Sequence, residues 1–150
     1  MISVIWNKNK IVSVVALPPC QSFNKKFFTE EVLKKLDQYL TLKDIRKNDS
    51  KILLHIDNAP PHSANVEMTK LKIQRMRHPP YSPDIAPSDF FLFGYLKMQL
   101  EGMVFQNQNE LISSVESVLF KIPKVMLENS LRNWEKRLVK CIETNGEYVI

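Results

Sequence analysis

The 150 residues are 44% hydrophobic and 25% charged, the balance of an ordinary globular domain with a single core, which excludes a wholly disordered chain. A formal net charge of +5 permits a polyanionic partner without requiring one. Cys20 and Cys141 are too few and too far apart for a disulfide framework or a zinc site and read as reduced intracellular thiols. No apolar run approaches the ~20 residues of a membrane span, so no membrane partner is expected, and Met1 leads into a strand-like segment instead of a signal peptide.

In chain order, residues 2–6 and 11–17 are short, β-branched and apolar, with turn residues at 7–10 between them. They are predicted to form an antiparallel hairpin that Pro18 and Pro19 terminate. Phe28, Val32, Leu36 and Leu40 then recur every four residues among lysines and glutamates, as in an amphipathic helix. Residues 43–50 are polar and charged, a connecting loop. Residues 51–57 form a nearly continuous apolar run ending in Asp57, the pattern of a strand covered on both faces in the middle of a sheet. A short helix over residues 63–71 and a strand over 73–77 follow.

Residues 78–89 hold four prolines and are expected to be irregular, with Ser88 as N-cap of a helix from Asp89 to about Leu100. Asn107 and Glu110 have the spacing of a capping box, and Leu111, Val115, Val118 and Ile122 supply the next apolar stripe. The last helix carries Leu127, Leu131, Trp134, Leu138 and Cys141 or Ile142 on one face, and Gly146 can end it. The order β-β-α-β-α-β-α-α-α predicts one α/β domain over residues 1–150, with a mixed sheet and flanking helices.

Two acids stand where chemistry is often found. Asp57 ends the expected central strand, a common position for functional groups in α/β folds, and Asp89 opens a helix after a rigid proline-rich segment. Brought together, they suit Mg²⁺ or Mn²⁺, hard cations that take oxygen ligands and keep open positions for phosphate oxygens. The plainer readings stay open: a turn cap for Asp57 and a macrodipole preference for Asp89. Asp84, in Ser-Pro-Asp, reads more simply as a turn former. In a regular strand His55 shares a face with Leu53 and Asp57, and a structural hydrogen bond is its simplest role. His62 can orient a carboxylate, touch a phosphate or start a helix. Lys70, Lys72, Arg75, Arg77 and His78 lie between the two acids and read either as phosphate contacts or as a solvated edge. With three unclustered glycines and no Gly-x-Ser-x-Gly, phosphate-binding glycine loops and a nucleophile-elbow hydrolase are excluded.

Residues 55–62 (HIDNAPPH) and 78–93 (HPPYSPDIAPSDFFLF) resemble two long motifs of mariner-family transposases, in the same order. The flanks are similar too: Ile5-Trp6-Asn7 and Ser22-Phe23-Asn24 before them, and Trp134, Arg137, Cys141-Ile142 and Gly146-Glu147-Tyr148 after them. The resemblance implies an RNase H-like fold whose acid triad binds two Mg²⁺ or Mn²⁺ ions and cuts and rejoins DNA at transposon ends in a eukaryotic nucleus, with a homodimer as an expected assembly. Asp57 matches the second acid and Asp89 the third, while Asn58 and His62 match supporting positions.

Two departures qualify what the resemblance implies. The interval between Asp57 and Asp89 is a few residues shorter than in the family, the shortfall falling between His62 and His78. The family's first acid lies on a strand upstream of the residues resembling Ile2–Trp6, and the helix-turn-helix region lies further upstream still. The chain is therefore expected to be an N-terminally truncated catalytic domain, inactive alone. The missing strand would sit between those matching residues 2–6 and 51–56, so the two either close up, accept another chain, or leave a marginally stable product. The alternatives are a non-catalytic DNA-binding or assembly module derived from a transposon, or a decayed reading frame that would fail to unfold cooperatively.

Overall fold

The computed structural model describes residues 1–45 and 51–150, so most of the predicted loop at 43–50 lies outside the described residues. The described chain divides into two compact units, Met1–Ile5 with Val12–Pro80 and Trp6–Ile11 with Tyr81–Ile150.

The chain opens on the predicted hairpin. β1 (Ile2–Trp6) and β2 (Ile11–Ala16) form a two-stranded sheet. Asn7 N–H donates to the Lys10 carbonyl at 3.0 Å and Leu17 N–H to the Met1 carbonyl at 2.9 Å, an antiparallel pattern. The Asn7 carboxamide locks the turn by accepting from the N–H groups of Asn9 and Lys10. Asn24 then caps the next helix, its Oδ1 accepting from Phe27 N–H at 2.9 Å. That helix, α1, covers residues 25–42: Lys25–Phe27 and Lys34–Leu42 are α-helical, while Phe28–Leu33 is wound wider, in π turns. The wider winding brings Leu33 into the buried stripe beside Phe28, Val32, Leu36 and Leu40.

β3 (Ile52–His55) pairs in parallel with β4 (Ile73–Met76), Ile52 opposite Ile73 and His55 opposite Met76. A parallel pair needs a crossover, and α2 (Asn65–Lys70) supplies it. Ile52, Leu54 and Ile56 pack against a core of Val15, Phe28, Leu36, Met68 and Ile73. The expectation that this strand is covered on both faces is corrected here. Leu53 is 56% exposed, and among the described residues β3 pairs with β4 alone. The apolar run reflects one filled core face with Leu53 on the other. Among the described residues β1 pairs with β2 and β3 with β4, with no ladder joining β1 to β3.

The second unit refines the expectation for the proline-rich stretch. Pro83–Ile85 forms a 3₁₀ turn, with the Ala86 N–H donating to the Pro83 carbonyl at 3.2 Å. Helix α3 covers residues 88–100, π-wound over Ser88–Phe93 and α-helical over Gly94–Leu100. Ser88 does not cap it. It already lies inside the helix, and its hydroxyl accepts from Trp6 Nε1 at 3.1 Å. α4 (Gln108–Phe120) carries the expected box: Asn107 Oδ1 accepts from Glu110 N–H at 2.9 Å, and Glu110 Oε2 accepts from Gln106 N–H at 2.8 Å.

α5 (Lys124–Glu143) ends in a Schellman motif, with Gly146 N–H on the Cys141 carbonyl and Asn145 N–H on the Ile142 carbonyl. Asn145 takes the first left-handed position at φ 55°, and Gly146 follows at φ 90°. Leu92, Leu96, Val115, Leu119, Ile122 and Leu127 are buried in this unit, whereas Leu138 and Ile142 of the predicted α5 stripe are exposed. Among the described residues no helix is long and apolar enough to cross a membrane.

Candidate functional site

In the first unit, Asp57 follows β3 by two residues and sits at the head of a braced loop. Its Oδ1 accepts from the Ala59 N–H at 3.0 Å and pairs with His62 Nδ1 at 2.5 Å. Its side chain is nevertheless 61% exposed. Burial pulls the Asp57 pKa upward, but the Ala59 N–H, the His62 hydrogen bond and the charges of His62 and His78 outweigh it and hold the carboxyl below the ordinary 3.8. The result is a carboxylate fixed through one oxygen and open to solvent.

The His62 ring is held by aromatic packing as well as by its acid. Its centroid lies 4.8 Å from that of Phe28 and 5.8 Å from that of Phe23. Arg75, on β4, ties the loop together: Nη2 donates to the Asp57 carbonyl at 2.5 Å and to Asn58 Oδ1 at 3.2 Å, and Nη1 to the His62 carbonyl at 3.2 Å. Asn58 in turn donates through Nδ2 to the His78 carbonyl at 2.7 Å. His55 Nε2 and His78 Nδ1 share a hydrogen bond at 3.0 Å. Burial, reinforced by the charge of His78 and opposed by Asp57, lowers the His55 pKa from 6.5 to about 4, so its ring is neutral at pH 7.

Of the predicted basic cluster, Lys70, Lys72 and Arg77 are exposed, while Arg75 is half-buried and committed to the loop. No spacing rule could have revealed that task, because a guanidinium bound to main-chain carbonyls leaves no sequence signature.

In the second unit, Asp89 is exposed in the first turn of α3, where its N–H donates to the Ala86 carbonyl at 2.9 Å. It lines a cavity of about 300 Å³ together with Asp84, Phe90, Arg137 and Tyr148. Asp84 does more than form a turn. It is buried, at 6% exposure, and its Oδ2 accepts from the Val149 N–H at 2.8 Å. Arg137, from α5, donates through Nη1 to the carbonyls of Asp84 and Val149, and its guanidinium lies 4.5 Å from the centre of the Phe90 ring. Sequence reasoning had placed Arg137 only as part of a resemblance. Among the described residues no group of three or more His, Cys, Asp or Glu side chains is gathered as a metal cluster.

The α/β arrangement with its parallel β3–β4 pair matches the RNase H-like fold of a solved catalytic domain. The catalytic domain of the Mos1 mariner transposase superposes with a TM-score of 0.91, covering 99% of this chain and 75% of that one at 21% identity. The same domain solved with Raltegravir and Mg gives 0.91, and a Mos1 paired-end complex with the left transposon end gives 0.87, at 21% identity in each case. They cover 99% and 98% of this chain, and 76% and 44% of theirs.

In sequence, the chain is 27% identical over 153 residues to the histone-lysine N-methyltransferase SETMAR of Homo sapiens and 22% identical over 154 residues to the mariner Mos1 transposase of Drosophila mauritiana. Each match covers 99% of the chain, which spans 22% and 44% of the lengths of these relatives. No family model matches. The chain is similar in sequence to the Mos1 mariner transposase and carries the fold of its catalytic domain.

Proposed function

We propose that the chain is the DNA-acting catalytic part of a mariner-type transposase, in which Asp57 and Asp89 are two of the acids that hold Mg²⁺ or Mn²⁺. The observation that carries this reading is the state of Asp57. A turn cap needs only the Ala59 N–H, yet here the carboxylate is also held by His62, kept ionised, and surrounded by a loop that Arg75 braces, while most of its surface faces solvent. Exposed carboxylate oxygens suit hard divalent ions. Such ions, when bound in pairs, stabilise the attacking and leaving oxygens of an in-line phosphoryl displacement.

The chain's own residues orient the acids and meet the polyanion. His62 fixes the Asp57 carboxylate and faces phosphate from the same loop. Lys70, Lys72 and Arg77 are the exposed cations that neutralise phosphates, while Arg75 serves them indirectly by bracing the Asp57 loop. The partner is transposon-end DNA, the cellular setting a nucleus and the assembly a homodimer. The likeness to a Mos1 complex with paired ends supports the DNA partner and the homodimer, and the nucleus follows only from a DNA substrate. Because two acids make an incomplete ligand set, the 150-residue chain alone binds divalent metal weakly and does not cut transposon ends.

The test is Mn²⁺ titration of the chain and its Asp57→Ala and Asp89→Ala variants, followed by calorimetry and Mn²⁺ spectroscopy. Weak binding lost in both variants is the expected result. Unchanged affinity in Asp57→Ala removes the assignment, and efficient cutting by the 150-residue chain overturns its inactivity. The exposed cations favour a second reading, a non-catalytic DNA-binding module. Salt-dependent duplex binding that Asp57→Asn leaves intact, in a chain that binds no Mn²⁺, would select it.

A further inference from the structure

We propose that Asp84 and Arg137 are positioning residues for Asp89, latching the segment Tyr148–Ile150 into place as one wall of the cavity that Asp89 lines; this rests on the reading of Asp89 as a metal ligand. The latch has three bonds around one point. The buried Asp84 carboxylate takes the Val149 N–H, and a single Arg137 nitrogen bridges the Asp84 and Val149 carbonyls. Both main-chain polar groups of Val149 are thereby satisfied by side chains, and Val149 itself is buried.

Asp84 belongs to the 3₁₀ turn that leads into α3, and the connection to Asp89 is short and hydrogen-bonded throughout. Ala86 N–H donates to the Pro83 carbonyl, and the N–H groups of Asp89 and Phe90 both donate to the Ala86 carbonyl. Arg137 reaches the same helical turn directly by lying over Phe90, the neighbour of Asp89. Opposite influences come from Trp6, which donates to Ser88 and lies against Phe91 at 6.1 Å between ring centres. The residues on either side of Asp89 are therefore each held by a different long-range contact. A buried acid spent on one backbone N–H is a costly way to fasten a terminal segment unless the placement of its surroundings matters.

The experiment compares Mn²⁺ affinity and backbone amide NMR shifts in the 150-residue chain and four variants: Asp84→Ala, Asp84→Asn, Arg137→Lys and Asp89→Ala. Asp84→Asn keeps an oxygen able to accept from Val149. The expected result is roughly tenfold weaker Mn²⁺ binding in Asp84→Ala and Arg137→Lys, the scale of lost outer-shell support, with affinity largely restored in Asp84→Asn. Amide shifts at residues 88–91 move with the affinity. Moved shifts with unchanged affinity make the latch merely structural and overturn the proposal, as does the absence of any change. If Asp84→Ala does not fold, Arg137→Lys decides by the same two readouts. Asp89→Ala keeps the failures apart: wild-type affinity in that variant sinks the metal reading itself, whereas loss of binding there with none in the latch variants sinks only the latch.

Discussion

Replacing His55 with leucine should remove a defined part of the chain's acid sensitivity. His55 is neutral in the folded protein, with its pKa lowered from 6.5 to about 4 by burial and by the charge of His78. Between those values the unfolded chain binds a proton that the folded chain does not, so stability is complete above pH 6.5 and declines as pH falls towards 4. A displacement of that size corresponds to at most roughly 3 kcal/mol. Screening at a site that keeps partial solvent contact reduces this to about 1–2 kcal/mol.

Urea unfolding of wild type and His55→Leu, run from about pH 7 down to about pH 4.5, measures the difference. Absolute stability is not diagnostic, because the variant lacks the bond to His78 at every pH. The slope is diagnostic. Wild type should lose about 1–2 kcal/mol more than the variant across that window. Parallel curves would refute the claim that burial of this imidazole, and not the carboxylates elsewhere, governs the difference.

Two further outcomes test the bracing of Asp57. Arg75→Ala strips the loop of its bonds to the Asp57 and His62 carbonyls and to Asn58; a loss of about 1–3 kcal/mol in urea unfolding is expected, with faster amide exchange at residues 58–62. Unchanged exchange there would show that the loop holds itself. Phe28→Ala empties a position only 2% exposed that packs against the His62 ring, and should cost about 3–5 kcal/mol by the same unfolding measurement.

Much of the fold was legible because its signals are local. The hairpin followed from two β-branched runs around an Asn-rich turn, and the capping box at Asn107 and Glu110 from residue spacing alone. The alternation of Ile52, Leu54 and Ile56 towards the core was also readable, but the continuous apolar run hid the exposure of Leu53, since composition says nothing about how many sheet neighbours a strand has. Ser88 misled for a related reason. Its type fits a cap, yet it lies inside the helix after Pro87, where its hydroxyl accepts from a distant indole. The π-wound stretches at Phe28–Leu33 and Ser88–Phe93 have no periodicity that separates them from an α-helix in sequence. For the candidate site, the acids were visible as residues, whereas Arg75, His78, Asp84 and Arg137 act through contacts many residues away and carry no local pattern.

Both acids share a physical arrangement, although each is built within its own unit. Asp57 depends on His62, which a π-wound segment presses from behind through Phe28; Asp89 lies inside a π-wound segment whose Phe90 and Phe91 meet Arg137 and Trp6. In each case an aromatic side chain packs against the group that holds the carboxylate or its neighbours. That pattern matters for an exposed acid. Solvent contact leaves a carboxylate free to rotate, and a metal ion that demands particular oxygen positions then has to offset the lost rotamer freedom from its own binding energy. Fixing the surroundings beforehand shifts that entropy cost onto folding, where the core carries it. An acid that merely caps a turn or suits a helix dipole gains nothing from such preparation, whereas the ligand role proposed for Asp57 and Asp89 would use it.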